Sequence, residues 1–129
     1  MLDSRFLLEY FYFEDSSIRQ KANWKMRDLA LKGNGIIPTI VIVETIQFIC
    51  LKKGKVVAEQ VYLAINASKL RIESLTPAIA KEAGILKSTY RSVPTGDCII
   101  AATAIKYQAR IVSDDPHFDA IKETKRIWL

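Results

Sequence analysis

The sequence has few of the residues that bind transition metals or form redox centres, with one histidine and two cysteines among 129 residues. Cys50 and Cys98 lie far apart in apolar surroundings and show neither a CxxC motif nor a cysteine–histidine spacing, which argues against zinc and disulfide-exchange sites. We therefore expect both cysteines to be small buried apolar side chains. The single histidine, His117, lies in a predicted turn and is expected to pack or to form a hydrogen bond.

The sequence also lacks a segment suited to a membrane or to export. The most apolar run, residues 33–51, contains Asn34, Pro38, Glu44 and Gln47, which are costly inside a bilayer. The chain opens with MLDSRF, which has none of the basic and apolar regions of a signal peptide. We therefore expect a cytoplasmic protein with no membrane partner.

Size and charge narrow the remaining classes. At 14.6 kDa, with 50% hydrophobic residues, the chain has the length of one domain, which we place at residues 1–129. Nineteen Lys and Arg against fourteen Asp and Glu give a net charge of +5. This excess of positive charge favours a polyanionic partner.

Helical and short β-rich segments alternate along the chain, which is typical of an α/β fold. Five short strands are predicted, within residues 1–2, 33–38, 69–75, 110–113 and 125–129. Helices are predicted at about residues 5–13, 17–32, 55–67 and 76–88, and two more carry Glu44 and Asp97. Thr39 and Thr76 are predicted to cap the helices that follow them.

Glu44 is the only charged residue between residues 36 and 49, and no Lys or Arg occurs between residues 33 and 51. In a helix, its neighbours at the three- and four-residue spacings are apolar or neutral, so none can form an ion pair with it. Burying an unpaired carboxylate is costly. The sequence therefore indicates that a partner from elsewhere requires this acid.

Other acids are expected at the same place. Asp3 follows the first predicted strand, Asp114 and Asp115 follow the fourth, and Asp97 begins the helix that returns to that fourth strand. Strands of a parallel sheet end, and the next helices begin, at one edge. Glu44 lies only about 7.5 Å beyond the start of its helix, at about 1.5 Å per residue. Acids from distant parts of the chain should therefore converge at that edge.

Each acid also has a purely structural explanation. Asp3 could cap the first helix, and Asp97 could stabilise a helix N-terminus through the helix dipole. Asp114 and Asp115 could form the turn before Pro116. Glu44 is the hardest to explain in this way, because helix interiors in apolar surroundings rarely contain an acid.

Crowded carboxylates raise one another's pKa unless a cation neutralises them. Oxygen ligands without histidine or cysteine suit Mg²⁺ or Mn²⁺ rather than zinc. The sequence contains no GxSxG motif, glycine-rich phosphate loop or evident Ser/His/Asp set. Metal-assisted hydrolysis is therefore the leading chemistry.

Three stretches form an ordered set: LDS at 2–4, the lone Glu44 in IPTIVIVETI, and TGDCIIAATAIKYQARIVSDDPHF at 95–118. Together with the terminal strand they resemble PIN-domain ribonucleases over essentially the whole chain, most closely the VapC-type toxins of toxin–antitoxin pairs. The most specific part is Asp97 with its IAATA helix, followed by a Ser/Thr-x-Asp-x-x-Phe pattern met by Ser113, Asp115 and Phe118.

The resemblance implies a three-layer α/β/α PIN-like domain around a central, mainly parallel sheet of about five short strands. It places the family's catalytic acids, which hold one or two Mg²⁺ or Mn²⁺ ions, on Asp3, Glu44, Asp97 and Asp115. Ser4, Ser113 and Asp114 would be polar neighbours of that site. The implied reaction is hydrolysis of RNA phosphodiester bonds, leaving 5′-phosphate and 3′-hydroxyl ends.

The resemblance also implies partners. RNA would be held by basic residues around the rim, including Arg5 and Lys52, and the protein would form a homodimer and bind a cognate antitoxin. The apolar segment FLLEYFYF at 6–13 is expected to pack in the core or to make these protein contacts.

Arg5 departs from the family pattern, because a small polar residue usually stands there. The alternative is therefore a catalytically silent PIN-like module that binds nucleic acid or protein. A receiver-type phosphoacceptor domain fits less well, because only one acid follows the first predicted strand.

Overall fold

The computed structural model describes residues 1–129, apart from the side chain of Ser16. This described chain contains six α-helices, one 3₁₀ helix and four short strands. The α-helices are α1 (Ser4–Phe11), α2 (Ser16–Lys32), α3 (Thr39–Lys53), α4 (Lys55–Ala67), α5 (Pro77–Thr89) and α6 (Thr95–Lys106). The strands are β1 (Ile36–Pro38), β2 (Arg71–Glu73), β3 (Ile111–Val112) and β4 (Arg126–Ile127), and the 3₁₀ helix spans Pro116–Ala120.

The strands form two parallel pairs, β1 with β2 and β3 with β4. The first two residues lie between these pairs. Leu2 forms a parallel bridge with Val112, and the Leu2 amide donates a hydrogen bond of 2.8 Å to the Ile36 carbonyl. Five extended segments therefore lie side by side in the order β2, β1, Met1–Leu2, β3, β4. The predicted fold class, an α/β fold with about five short parallel segments, is confirmed.

The strands are shorter than the sequence predicts. Residues 69–75 contribute only Arg71–Glu73, because β1, the neighbour of β2, is itself three residues long. Met1–Leu2 make a single bridge rather than a strand. With so few ladder hydrogen bonds, side-chain packing of the helices must supply much of the stability of the sheet.

The core is built from apolar strands covered by helices that pack in pairs, α1 with α2, α3 with α4, and α5 with α6. Leu2, Ile37 and Ile111 are completely buried. Small side chains let α6 approach its neighbours closely, because its Ala101, Ala102 and Ala104 are buried. α6 is the most buried helix, and it begins next to the acidic end of the sheet.

One of the two predicted helix caps is observed in the structure, and the other is not. Thr76 caps α5 as expected, since its hydroxyl accepts a hydrogen bond from the Ile79 amide. The prediction for Thr39 is wrong. Thr39 is the first helical residue of α3, and its hydroxyl accepts a hydrogen bond of 3.2 Å from the Leu75 amide. The hydroxyl thus ties the start of α3 to the chain beyond β2.

One prediction of burial needs correction. Cys98 is buried as expected, but Cys50 is exposed on α3. The aromatic segment after Arg5 is mainly core, because Phe6, Leu7 and Leu8 are buried and the ring of Tyr12 packs edge-on against Phe48 at 5.0 Å. No helix in the part of the chain that the structure describes is both long and apolar enough to cross a bilayer.

Candidate metal centre

Four acids lie where the chain leaves the strands. Asp3 follows Met1–Leu2 and caps α1, and Asp115 follows β3 and caps the 3₁₀ helix. Asp97 lies in the first turn of α6, and Glu44 lies in the second turn of α3. The expected convergence follows from the topology, because parallel strands end at the same edge of a sheet.

Asp3 is held rigidly by serine hydroxyls and backbone. It is 2% exposed, and its Oδ1 accepts hydrogen bonds from the amide and the hydroxyl of Ser4, at 2.6 and 3.3 Å. Its Oδ2 accepts a hydrogen bond of 2.6 Å from the Ser113 hydroxyl, whose oxygen in turn accepts one of 3.0 Å from the Asp115 amide. Ser113 therefore links two of the acids, and Ser4 orients one.

Asp97 and Asp115 face the imidazole of His117. His117 Nδ1 lies 3.2 Å from Asp97 Oδ2 and 3.0 Å from Asp115 Oδ1. Although that nitrogen is close, Asp97 Oδ2 is buried and accepts no hydrogen bond from any described residue. One ligand atom from each of the three residues lies within 4.8 Å of the others. These three side chains could hold one cation.

Glu44 reaches this group through a gap left by a glycine. A methyl group built on Gly96, next to Asp97 in the first turn of α6, would lie 2.6 Å from Glu44 Oε1. Glu44 is only partly buried, and it forms no ion pair with the described residues. No described Lys or Arg therefore neutralises Glu44, and the neighbouring acids disfavour its charged form.

The pKa shifts show how strongly these acids interact. Burial raises the pKa of Asp97 to about 7, and the charges of Asp115, Asp3 and Glu44 add to the rise. Burial also raises the pKa of Glu44, with further increases from Asp3 and Asp115. The pKa of Asp3 is raised by burial although its hydrogen bonds from Ser113 and Ser4 oppose the rise.

This environment fits a divalent cation. A cation would provide the partner that Asp97 Oδ2 lacks within the described chain. It would also offset the burial that raises the three pKa values and the repulsion that adds to the rise at Asp97 and Glu44. The donors are carboxylate oxygens with one imidazole nitrogen, a set that suits Mg²⁺ or Mn²⁺ better than a thiolate-binding metal.

The remaining predicted site residues lie around or away from this cluster. Arg5 and Asp114 form an exposed ion pair with two hydrogen bonds, of 2.9 and 3.1 Å. This pair lowers the pKa of the Asp114 carboxyl, chiefly through the Arg5 hydrogen bonds. Lys52 lies at the far end of α3, about 12 Å along the helix from Glu44 at about 1.5 Å per residue.

Sequence reasoning missed two contributors to the site. The sequence predicts that His117 packs or forms a hydrogen bond, and its ring, 48% exposed, does face two acids; its role as a candidate ligand is what the sequence did not indicate. Its position two residues after Asp115, in the same short turn, was the available signal. Gly96 carries no chemical signal of its own, and only the approach of Glu44 reveals its role.

The raised pKa of Asp97 predicts a pH-dependent stability. Between its ordinary pKa of 3.8 and the folded value of about 7, the folded protein keeps a proton that the unfolded chain releases. The free energy of unfolding therefore falls as the pH rises through this window. We expect Asp97→Asn to raise the free energy of unfolding by about 1–2 kcal/mol near about pH 8 and to leave it unchanged near about pH 4. Urea denaturation in EDTA at both pH values measures this.

Asp119→Asn is the matched control. Asp119 is not one of the four acids of the site, and its pKa is lowered by the hydrogen bonds from Arg126. Its replacement should therefore lower the free energy of unfolding at the higher pH. If Asp97→Asn also lowered the free energy of unfolding at the higher pH, the Asp97 carboxylate would have a stabilising partner in the protein and would not require a cation.

Comparisons with solved structures show the fold. The chain matches VapBC2 from Rickettsia felis bound to a promoter DNA fragment, with a TM-score of 0.78 and 21% identity, covering 99% of this chain and 96% of that one. It matches a DNA-bound VapBC from Salmonella typhimurium with a TM-score of 0.74 and 17% identity, covering 99% and 96%. A toxin–antitoxin complex from Klebsiella pneumoniae matches with a TM-score of 0.71 and 18% identity, covering 95% and 92%.

Comparison with curated protein sequences gives no match. A family model described as "PIN domain" matches residues 1–124. This match spans all four acids, Ser113 and His117, and it agrees with the motifs in the sequence and with the fold. The chain belongs to the PIN domain family.

Proposed function

We propose that the chain is a metal-dependent endoribonuclease and the toxin of a toxin–antitoxin pair, and that it hydrolyses RNA phosphodiester bonds with Mg²⁺ or Mn²⁺. The observation that carries this proposal is Asp97 Oδ2, a buried oxygen next to three other acids that accepts no hydrogen bond from the described residues, although His117 Nδ1 lies 3.2 Å away. Retaining such a cluster is costly unless a cation binds there. PIN-domain membership supports nuclease chemistry.

In this proposal, Asp3, Glu44, Asp97 and Asp115 hold the cation. When bound, a divalent cation lowers the pKa of a water molecule and stabilises negative charge on the leaving oxygen. Ser113 and Ser4 orient the two oxygens of Asp3, so that this carboxylate cannot rotate away.

Asp115 is oriented in a similar way. Its amide donates to Ser113, and its Oδ1 accepts a hydrogen bond of 2.9 Å from the His117 amide. The pKa of Asp97, raised to about 7, means that this acid carries a proton for part of the time at neutral pH. Cation binding must release that proton, so affinity for the cation should increase as the pH rises.

Arg5 is the residue that favoured a silent module, but its position supports the catalytic proposal. Its guanidinium pairs with Asp114 and forms no ion pair with the four acids of the described site. Arg5 therefore does not neutralise the four acids, and a cation is still required to do so. Because the Arg5 side chain is 47% exposed, we propose that it also contacts the RNA backbone at the rim, and we extend this proposal to Lys52.

The assignment as a toxin rests on the fold shared with the VapBC complexes and on the motifs that resemble VapC-type toxins. We propose a cognate antitoxin as a partner, a homodimer as the assembly and the cytoplasm as the location.

Light scattering of the purified chain tests the proposed homodimer. It should give about twice 14.6 kDa, and a mass of 14.6 kDa would reject the homodimer.

Cleavage of RNA by the purified protein is the direct test. We expect labelled single-stranded RNA to be cleaved with Mn²⁺ or Mg²⁺ and not with EDTA. Asp97→Asn and Glu44→Gln should each lower the rate by about a hundredfold or more, because each removes a proposed cation ligand. Gel analysis of the products measures this.

Glu82→Gln is the matched control for Glu44→Gln, because Glu82 is exposed on α5 and lies 3.8 Å from its partner Lys81. It should cleave like the unchanged protein. Absence of cleavage with every divalent metal, in folded protein free of antitoxin, would reject the nuclease and favour the silent module.

Gly96→Ala is expected to reduce RNA cleavage without reducing the stability of the fold. The added methyl group would lie 2.6 Å from Glu44 Oε1 and must displace that carboxylate. The displaced group is the end of a flexible side chain, and alanine favours a helix over glycine by up to about 1 kcal/mol. We therefore expect cleavage to fall by about tenfold or more while stability is kept.

Gly84→Ala provides the comparison, because a methyl group at Gly84 in α5 meets no described atom within 4 Å. It should leave cleavage unchanged. If Gly96→Ala also cleaved normally, the position of Glu44 against α6 would not matter for the reaction.

A further inference from the structure

A groove of about 550 Å³ lies between the first half of α2 and the residues that follow β4. Its walls include Gln20, Lys21, Trp24, Lys25, Trp128 and Leu129, and we call it the tryptophan groove. None of the four acids of the candidate metal centre lines it. The groove is therefore a separate feature of the surface.

Core packing explains only one of the two rings in this groove, because Trp128 packs against the hydrophobic core and Trp24 does not. Trp24 is 67% exposed, and Trp128 is only partly buried. An exposed indole ring beside a groove offers an apolar face on which a flat ring can stack.

The positive charges that line the groove favour an anionic ligand. Lys21 and Lys25 lie on either side of Trp24 in the sequence and line the groove, which no described Asp or Glu side chain lines. The one acid in α2 is Asp28, and Lys32 already pairs with it at 2.8 Å. The surface therefore combines an accessible aromatic ring with uncompensated positive charge.

We infer that the tryptophan groove binds a flanking segment of the single-stranded RNA substrate, with one base stacked on Trp24 and neighbouring phosphates at Lys21 and Lys25. This inference rests on the proposed ribonuclease function. Aromatic rings beside cationic side chains are the general means of binding single-stranded nucleic acid, because every base has a π face and every nucleotide has a phosphate.

The groove lies close enough to the acids to act on the same RNA. Trp128 directly follows Ile127, whose carbonyl accepts a hydrogen bond of 3.0 Å from the Ser113 amide, and the Ser113 hydroxyl donates to Asp3. Adjacent strands are about 4.8 Å apart, so β4 lies about 10 Å from the segment that ends at Asp3. A single strand of several nucleotides, at about 3.4 Å per nucleotide, is therefore long enough to contact both the groove and the acids.

Both tryptophans of the chain line this groove, so intrinsic fluorescence reports on it alone. The full-length protein in EDTA is titrated with single-stranded RNA carrying a fluorescent label, and binding is followed by anisotropy and by tryptophan emission. We expect the emission to be quenched in parallel with the rise in anisotropy. Binding without any change in tryptophan emission would overturn the inference.

Substitutions then separate stacking from charge. Trp24→Ala should weaken RNA binding by between about fivefold and a hundredfold, the range for loss of one base–aromatic stack. Replacing Lys21 and Lys25 by alanine should reduce the slope of log affinity against log salt by about 0.7 for each lysine. The controls are Tyr62→Ala and Lys81→Ala, which remove an exposed ring on α4 and an exposed charge on α5. Neither control should alter binding.

Cleavage with Mn²⁺ distinguishes this inference from the proposed function. We expect Trp24→Ala to raise KM and leave kcat unchanged, because the stack is remote from the reacting phosphate. If the unchanged protein cleaves RNA and Trp24→Ala has the same KM, the groove inference fails and the ribonuclease stands. If RNA quenches the tryptophans but no metal supports cleavage, the ribonuclease fails and the groove stands.

A protein partner is the competing occupant. If light scattering shows that Trp24→Ala converts a dimer into monomers, the groove is a contact between copies of the chain, and the inference is overturned. An unchanged mass together with weakened RNA binding supports the RNA assignment.

Discussion

Repulsion between carboxylates at one edge of the sheet is the constraint on which the rest of the site depends. Asp97 carries the largest effect, because it is buried beside three other acids and its Oδ2 accepts no hydrogen bond from the described chain. The surrounding residues restrain these acids without neutralising them. Ser4 and Ser113 supply neutral donors to Asp3, and Gly96 supplies room for Glu44. The fold therefore keeps a negative site in place at a cost in stability, which a cation would offset.

The outer charges are arranged differently from those of the site. Arg5 pairs with Asp114, and Arg126 pairs with Asp119, so the acids next to the site along the chain are neutralised by arginines. Asp114 and Asp119 therefore add little to the negative charge of the four inner acids, while α2 presents positive charge and an indole ring to solvent. A polyanion is thus repelled by the bare site and attracted to the surface beside it, and a bound cation would make the two regions compatible.

Sequence patterns predicted the fold and the convergence of the acids because both follow from chain order. Asp3, Asp97 and Asp115 each lie at a junction between strand and helix, and parallel topology brings such junctions to one edge. The details that the sequence did not predict concern which way a side chain points from a helix or turn. A short sequence pattern does not determine that direction. Cys50 lies on the exposed side of α3, Thr39 bonds across to Leu75, and His117 turns towards the acids. The Thr39 contact and the approach of His117 to Asp97 depend on neighbours distant in sequence.

The middle of the sheet is formed by the first residues of the chain, which meet their neighbours only across long sequence separations. Asp3 and Ser113 are 110 positions apart, and Leu2 joins β1 to β3. Contacts of such separation form late in folding, because the loop between them must close first. During synthesis on a ribosome, Asp3 emerges 110 residues before Ser113 and cannot meet Ser113 and Asp115 until they have followed. The nascent chain therefore lacks its assembled acidic site until residues 113–115 have been made.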